Sequence, residues 1–297
     1  MTQRIKRTSF LLVLLCGLSL SGGPSRAADI SLTDDLGRKQ QWSEPPRRIV
    51  SLLPSLTELV CALDACERLV GVDRYANFPA SIAKLPKLGA MDDASVEAIV
   101  ALRPDLVMLS PASRLHDRLG ALGVKTLVLD TLNLADVRRH IDSLSRLLES
   151  KSGPQLKETI ERQLAAAAAQ VPESMKGLRV YYEVDSAPYA AGEPSFSGEI
   201  LARLGLRNIV PAALGPFPKL NPEFVVRADP QLILVSQRNA QKLTDRPGWE
   251  RIAAMRDQRI CRFSSAEGDL MARPGPRMGE GAQAVLRCLQ ELAAVKK

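Results

Sequence analysis

The chain has 297 residues, with 40 basic and 33 acidic side chains, a formal net charge of +7 at pH 7 and 45% hydrophobic residues. This composition is typical of a globular protein of one large or two medium domains. Lysine and arginine form no run interleaved with aromatic residues, so the sequence gives no indication of a nucleic-acid partner.

The first 27 residues have the three parts of a secretory signal peptide. A basic stretch precedes the apolar residues 10–20, and Ser25 and Ala27 are the small residues expected three and one positions before a cleavage site. The apolar run is about half of the ~20 residues that a membrane-spanning helix needs. Cys16 raises lipidation as an alternative, although a leucine precedes it where a lipoprotein signal has a small residue. We therefore expect export to the periplasm and a soluble mature protein of net charge +3, because cleavage removes four basic residues and no acidic one.

Strands alternate with helices through residues 28–150. A hairpin pattern opens this region at 30–42, and Ser55 and Glu58 have the spacing of a capping box at the start of the first helix. Strands are predicted at 48–52, 69–72, 106–109 and 124–129, and helices at 55–63, 96–102 and 114–122. The alternation predicts a parallel sheet in a three-layer α/β lobe.

The pattern changes after residue 135. Residues 137–148 form one amphipathic helix and residues 155–171 a second, which carries an alanine run and is predicted to join two lobes. The α/β alternation then returns, with strands at 178–183 and 232–235 and helices at 196–204, 223–228 and 279–295. We predict an α/β fold of two Rossmann-like lobes, residues 28–150 and 173–297, joined by a single long helix within 151–172, with a ligand cleft between the lobes.

An internal repeat supports the two lobes. The segment from Glu97 to Ser110 and the segment from Glu223 to Ser236 match at an offset of 126 residues. Each has an acidic helix start, a short helix, a proline turn and a buried strand. The repeat therefore places Glu97 and Glu223 at equivalent positions of the two lobes.

Four cysteines remain after the signal peptide. In an oxidising compartment their even number permits disulfides, and we expect Cys61 to pair with Cys66 and Cys261 with Cys288. The alternative is four buried thiols.

Several motifs in order give the chain a resemblance to a known family. Residues 48–58 (RIVSLLPSLTE), 70–75 (VGVDRY), 101–107 (ALRPDLV) and 119–124 (LGALGV) resemble the helical-backbone, or class III, solute-binding proteins of ABC importers. The resemblance covers residues 29–292, and the cobalamin-binding members are the most similar. It implies a monomer that carries cobalamin, an iron–siderophore complex or haem to the importer's membrane subunits, and no cofactor of its own.

The resemblance also implies roles for charged residues. Glu97 and Glu223 match the surface glutamates, one on each lobe, that dock into arginines of the membrane subunits. The alternative is that each only stabilises the dipole of its own helix, which needs no partner. Arg273 and Arg277 match a segment that offers an arginine to the ligand, where a guanidinium suits carboxylate or phosphate groups. Either arginine could instead cap the final helix.

Aromatic residues are few, so their positions are informative. Tyr75 matches a pocket tyrosine of the family, and Tyr189 and Phe217 fall in loops that face the same way, where a flat macrocycle could stack on them. The alternative is that these rings pack under their own turns. Met91 and Ser110 stand where the resemblance leads us to expect tryptophans, which weakens the case for cobalamin as the ligand. Haem and ferric siderophores therefore stay as alternatives. If the ligand is haem, Tyr75 could ligate its iron.

Other classes of protein fit less well. A receptor for free zinc or manganese needs several histidines, whereas His116 and His140 are the only two, and both are expected at the surface. No nucleophile elbow, Walker loop or dinucleotide fingerprint follows a predicted strand, so we do not expect an enzyme. Two lobes on a rigid helix imply a cleft, which disfavours a purely structural module.

Overall fold

The structure, a computed structural model, describes residues 30–186 and 188–295. The predicted signal peptide and Cys16 lie outside these residues. Strands β1 (Ile30–Thr33) and β2 (Lys39–Trp42) form the expected antiparallel hairpin. Its turn is held by Asp34, whose carboxylate accepts hydrogen bonds from the backbone amides of Leu36 and Arg38.

The first sheet has four parallel strands. They are β3 (Ile49–Ser51), β4 (Leu69–Val72), β5 (Leu106–Leu109) and β6 (Thr126–Val128), in the spatial order β4-β3-β5-β6. Helices α1 (Pro54–Ala62), α2 (Val96–Ala101) and α3 (His116–Ala121) connect them. All four residues of β5 are buried, as expected for a central strand covered on both faces.

Two helices lead from the first sheet to the second. Helix α4 (Leu134–Leu148) begins with a capping box between Asn133 and Asp136 and buries an apolar stripe. Helix α5 (Gly153–Ala169) is about 25 Å long at 1.5 Å per residue and packs against α4.

The second sheet has five strands, β7 (Arg179–Asp185), β8 (Tyr189–Ala190), β9 (Arg207–Asn208), β10 (Leu232–Ser236) and β11 (Ile260–Phe263). Their order is β11-β10-β7-β8, with β9 also paired to β7, and only β8 is antiparallel. The helices of this half are α6 (Phe196–Arg203), α7 (Pro222–Ala228), α8 (Gln237–Ala240), α9 (Ala253–Arg256), α10 (Ser265–Ala272) and α11 (Met278–Ala294). The predicted α/β fold with two parallel sheets is confirmed.

The core joins the two halves. One hydrophobic cluster includes buried residues of both sheets and of α4, α5 and α11, and α5 packs along α11. Both predicted disulfides are present: Cys61–Cys66 joins the last turn of α1 to the segment that follows it, and Cys261–Cys288 joins β11 to α11. The second bond fixes the final helix to the edge strand of its sheet.

The internal repeat is visible in the backbone. Arg103 and Asp229, 126 residues apart, both have positive φ angles, of 47° and 44°. The Nε of Arg48 donates to the carbonyl oxygen of Arg103 at 3.2 Å, and the Nε of Arg179 donates to that of Asp229 at the same distance. The turns after α2 and α7 are therefore built in the same way.

Two expectations from the sequence are wrong. Leu53, not Ser55, is the N-cap residue of α1, and no side chain caps this helix. Glu58 does not serve a capping box, because its carboxylate is buried and accepts hydrogen bonds from arginines of the other half of the chain. His140 is not a surface residue: it is only 1% exposed, because Thr131 and Asp35 supply hydrogen-bond partners for both ring nitrogens.

Candidate functional site

The carboxyl ends of the parallel strands of both sheets open onto two adjoining cavities. The larger, about 680 Å³, is lined by residues at the ends of β7, β10 and β11, namely Glu183, Val184, Asp185, Ser236, Gln237, Phe263 and Ser264. The smaller, about 380 Å³, is lined by residues that follow β3, β5 and β6, namely Leu53, Pro54, Ser55, Ser110, Leu129, Asp130 and Thr131. Tyr75, Asp269 and Ala272 line both. Together the cavities form one cleft, at the strand ends where open α/β sheets bind ligands.

Tyr75 lies at the junction of the two cavities. It follows β4, and its side chain is 62% exposed. Its backbone amide donates to the carboxylate of Asp73 at 2.6 Å, which fixes the turn that presents the ring. Asp73 is buried, and this burial raises the pKa of its carboxyl group. The exposed phenol ring is therefore held on a rigid backbone.

Met91 and Ser110 lie together in the smaller cavity, where the Ser110 hydroxyl is 3.1 Å from the Met91 sulfur. These are the positions at which the resemblance led us to expect tryptophans. Smaller side chains here leave this wall of the cleft wider and less aromatic.

Tyr189 and Phe217 are placed differently from Tyr75. Tyr189 is in β8, 40% exposed and paired with Asp185, which lines the larger cavity. Phe217 is half-buried and packs against Phe196, with ring centroids 5.9 Å apart. Neither ring is among the described residues that line the two cavities. Their roles as ligand contacts remain predictions.

Arg273 and Arg277 meet at Glu58. Arg273 donates to Glu58 Oε1 at 2.8 Å, and Arg277 donates to both carboxylate oxygens at 2.9 and 3.0 Å. Asp269 lies 2.8 Å from the other Nη of Arg273. We call these four side chains the ion cluster. It joins α1 of the first half to the segment before α11.

Other contacts complete the ion cluster. Asn77 Oδ1 and the carbonyl oxygen of Tyr75 accept from Arg273, and the guanidinium of Arg277 lies 3.9 Å from the ring centroid of Phe78. Arg277 does not cap α11 with its side chain. Within the ion cluster two positive charges face two negative charges, so these four side chains have no net charge. Glu280 adds a further carboxylate 3.9 Å from Arg277, and both guanidinium groups therefore already have partners.

Few other charges line the cleft. Glu183 is fully buried and paired with Arg246, which donates to it at 2.9 Å. Asp185 and Arg238 lie exposed at the rim. Burial raises the pKa of Asp130, and the nearby carboxylates of Asp35 and Asp136 raise it further. Among the described residues that line the two cavities, Arg238 is therefore the one cation outside the ion cluster.

Glu97 and Glu223 lie in the first turns of α2 and α7, and both are exposed. Ser95 caps α2 and Asn221 caps α7 through side-chain oxygens. Glu97 accepts hydrogen bonds from its own backbone amide and from the Ser95 hydroxyl, which lower the pKa of its carboxyl group. The two carboxylates thus stand at repeat-related places on the surface.

The residues that the structure describes contain no group of three or more side chains that could hold a metal ion. Within the same ranges, no helix is long and apolar enough to cross a membrane.

Several residues of the cleft were not predicted from the sequence. Asp130 and Thr131 follow β6, Ser236 ends β10, and Asp269 lies on α10, which was not predicted. Strand ends were a usable signal, because ligands bind beyond the carboxyl ends of parallel strands. Ser264 and Glu267 have the capping-box spacing that could have revealed α10.

Comparison with known proteins gives consistent matches. A family model described as periplasmic binding protein matches residues 49–266. The ABC transporter substrate-binding lipoprotein YvrC of Bacillus subtilis, whose function is uncharacterised, is 25% identical, with 86% of this chain and 83% of the relative covered. The vitamin B12-binding protein of Vibrio parahaemolyticus is 25% identical over 86% of this chain and 92% of its own.

Among solved structures, the periplasmic haem-binding protein RhuT of Roseiflexus sp. RS-1 is similar. It superposes with a TM-score of 0.69 at 26% identity and covers 83% of this chain and 99% of its own. The matches therefore include both a corrinoid carrier and a haem carrier.

Proposed function

Because the chain belongs to the periplasmic binding protein family and is a substrate-binding protein of an ABC transporter, we propose that its cleft captures an uncharged corrinoid. Cobalamin is the first candidate. The protein delivers this ligand to the importer's membrane subunits. Proteins of this family are extracytoplasmic carriers rather than enzymes. The observation that carries the choice of ligand is the neutral ion cluster, of which Asp269 and Arg273 line the cleft.

The candidate ligands differ in charge. The propionates of haem and the oxygens of a catecholate siderophore complex are anionic and require free cations in the pocket. Arg273 and Arg277 would have to leave Glu58 to supply them, which would leave a buried carboxylate unpaired. Arg238, exposed at the rim of the larger cavity, could meet one anionic group but not both propionates of haem. The amide side chains of a corrinoid need no such cation. The ion cluster therefore supports a neutral chelate.

The size of the cleft supports a bulky ligand. The cavities of about 680 and 380 Å³ adjoin, and together they reach the upper end of the ~300–1,000 Å³ typical of small-molecule sites. Tyr75 offers an exposed ring for stacking at their junction. We propose that Tyr189 and Phe217 contribute from the second half and that Arg273 and Arg277 bound the floor.

Haem is the second candidate, and one observation favours it. The Tyr75 phenol is exposed within the cleft, where an oxygen ligand could reach ferric iron. A ferric hydroxamate, which carries no excess negative charge, would also meet the charge criterion.

We further propose that Glu97 and Glu223 dock the protein on the membrane subunits. Their equivalent positions in the two halves match a two-fold symmetric partner with an arginine patch on each subunit. Exposed charges of this kind act more on the rate and orientation of association than on affinity. The chain would act as a monomer with one cleft.

A thermal-shift series tests the proposed ligand. The protein is melted alone and with cyanocobalamin, haemin or ferrioxamine, since a ligand that binds only the folded state raises Tm. We expect cyanocobalamin to raise Tm without being consumed. A rise with haemin alone would refute the corrinoid assignment.

A further inference from the structure

Thr131 is connected through the buried His140 of α4 to Asp35. Thr131 follows β6 and lines the smaller cavity beside Asp130. Its Oγ1 is 2.9 Å from Nδ1 of His140, and Nε2 of His140 is 2.9 Å from Oδ2 of Asp35. Asp35 lies in the β1–β2 turn, so three separate elements meet at this relay of Thr131, His140 and Asp35.

Asp35 fixes the tautomer of His140. Its Oδ2 also accepts from the backbone amide of Asp130 at 2.6 Å, and its Oδ1 is paired with Arg139. Although burial raises the pKa of Asp35, the contacts with Arg139, Asp130 and His140 lower it below the ordinary value. An ionised carboxylate can only accept, so Nε2 of His140 must carry the proton that Asp35 accepts.

The other ring nitrogen then orients Thr131. Burial lowers the pKa of His140, although Asp35 opposes this effect, so the ring is neutral near neutral pH. A neutral imidazole with a proton on Nε2 has a lone pair on Nδ1. The only way for Thr131 to bond to Nδ1 is to donate its hydroxyl proton, which leaves its oxygen lone pairs for the cavity.

We propose that Thr131 is a specificity-determining residue of the cleft, and that His140 and Asp35 are positioning residues which make its hydroxyl a hydrogen-bond acceptor toward the ligand. This inference rests on the proposed function, since it assumes that the ligand occupies this cavity. Together with Asp130, Thr131 makes the β6 edge of the cleft rich in acceptors. Such an edge selects ligands that present N–H groups, such as primary amides, and disfavours carboxylates.

Protonation of His140 would reverse the polarity of Thr131. With both ring nitrogens protonated, Nδ1 donates to Thr131, and the hydroxyl proton turns toward the cavity. The charged groups that face the ring are Asp35, Asp130, Asp136 and Arg139. Affinity for an N–H donor should therefore fall as the pH is lowered through the titration of His140.

The relay is tested without ligand by ¹⁵N NMR of the imidazole nitrogens in the full chain. His116→Gln removes the only other histidine signal. We expect Nε2 of His140 to be protonated and Nδ1 to be unprotonated at pH 7.5. A neutral ring with its proton on Nδ1 would overturn the proposal, whichever ligand the protein carries.

The ligand contact is tested by titration with cyanocobalamin between pH 5 and 8. Thr131→Val should bind about 5- to 10-fold more weakly at pH 7.5, the usual effect of one hydrogen bond, and should lose the acid-dependent weakening. Thr131→Ser keeps the hydroxyl and should keep the pH dependence. Equal pH profiles for wild type and Thr131→Val would overturn the proposal. If the wild type does not bind cyanocobalamin, the corrinoid assignment fails, and the NMR result still decides whether Thr131 presents an acceptor.

Discussion

Removal of the Glu58 carboxylate should destabilise the protein strongly. Glu58 is 3% exposed and accepts from two guanidinium groups, of which Arg273 is 9% exposed. Deleting one partner of a buried ion pair typically costs about 3–5 kcal/mol, because the other charge is left buried without a partner. In Glu58→Ala, Asp269 and Asn77 would still accept hydrogen bonds from Arg273. We therefore expect the free energy of unfolding to fall by an amount near the lower end of this range.

The loss can be measured by urea unfolding or by thermal melting. For a protein of this size about 3 kcal/mol corresponds to a fall in Tm of roughly 6–12 °C. Glu58→Gln keeps the side-chain volume, so a similar loss in that variant would assign the effect to charge. Glu67→Ala is the matched control, since its carboxylate is exposed and 3.8 Å from Arg68. This surface pair should contribute less than about 0.5 kcal/mol.

Two results would refute this reasoning. A loss below 1 kcal/mol in Glu58→Ala would mean that Arg273 and Arg277 are free to find other partners. The cleft could then offer them to an anionic ligand, and the charge argument for a corrinoid would fail. An equal loss in Glu67→Ala would show that the effect does not depend on burial.

Three further predictions address docking, covalent stability and pH. Glu97→Ala combined with Glu223→Ala should abolish stimulation of the importer's ATPase while ligand affinity is unchanged; normal stimulation would refute the docking assignment. Replacing Cys261 and Cys288 by alanine should cost about 3–4 kcal/mol in urea unfolding, the loop-closure value for a bond spanning 27 residues, and no loss would contradict it. Because burial lowers the pKa of His140, the unfolded chain takes up a proton below about pH 6.5, whereas the folded chain takes it up only at lower pH. Between these two titrations, stability should fall with decreasing pH by up to ~1.4 kcal/mol per unit. His140→Gln should lack this part of the fall, and an unchanged slope would be inconsistent with a neutral buried ring.

Sequence patterns predicted the parts of the fold that depend on local order. The alternation of strands and helices, the hairpin and each single copy of the repeat depend on residues near each other in the chain. The oxidising compartment and the even count of cysteines permitted disulfides, and the pairing of Cys261 with Cys288 was predicted because both lie in the same half of the chain. Strands β8 and β9, of two residues each, are set by pairing with β7 rather than by their own composition.

The centre of the cleft depends on distant contacts that no local pattern contains. Ser55 and Glu58 have capping-box spacing, but the real partners of Glu58 are 215 and 219 residues away. His140 has polar sequence neighbours, yet the β1–β2 turn brings Asp35 to it and makes its burial possible. Both errors concern polar side chains, whose burial depends on a partner that the fold supplies.

The most direct test of the proposed function is a competition between ligands. The protein is equilibrated with equal concentrations of cyanocobalamin and haemin, free ligand is removed by gel filtration, and the absorption spectrum of the protein fraction is recorded. Because the ion cluster is neutral and the β6 edge of the cleft is rich in acceptors, the protein should retain cyanocobalamin. The spectrum of the protein fraction should then show the corrin bands and little Soret absorption. A dominant Soret band would contradict the account and would show that the neutral ion cluster does not exclude an anionic ligand.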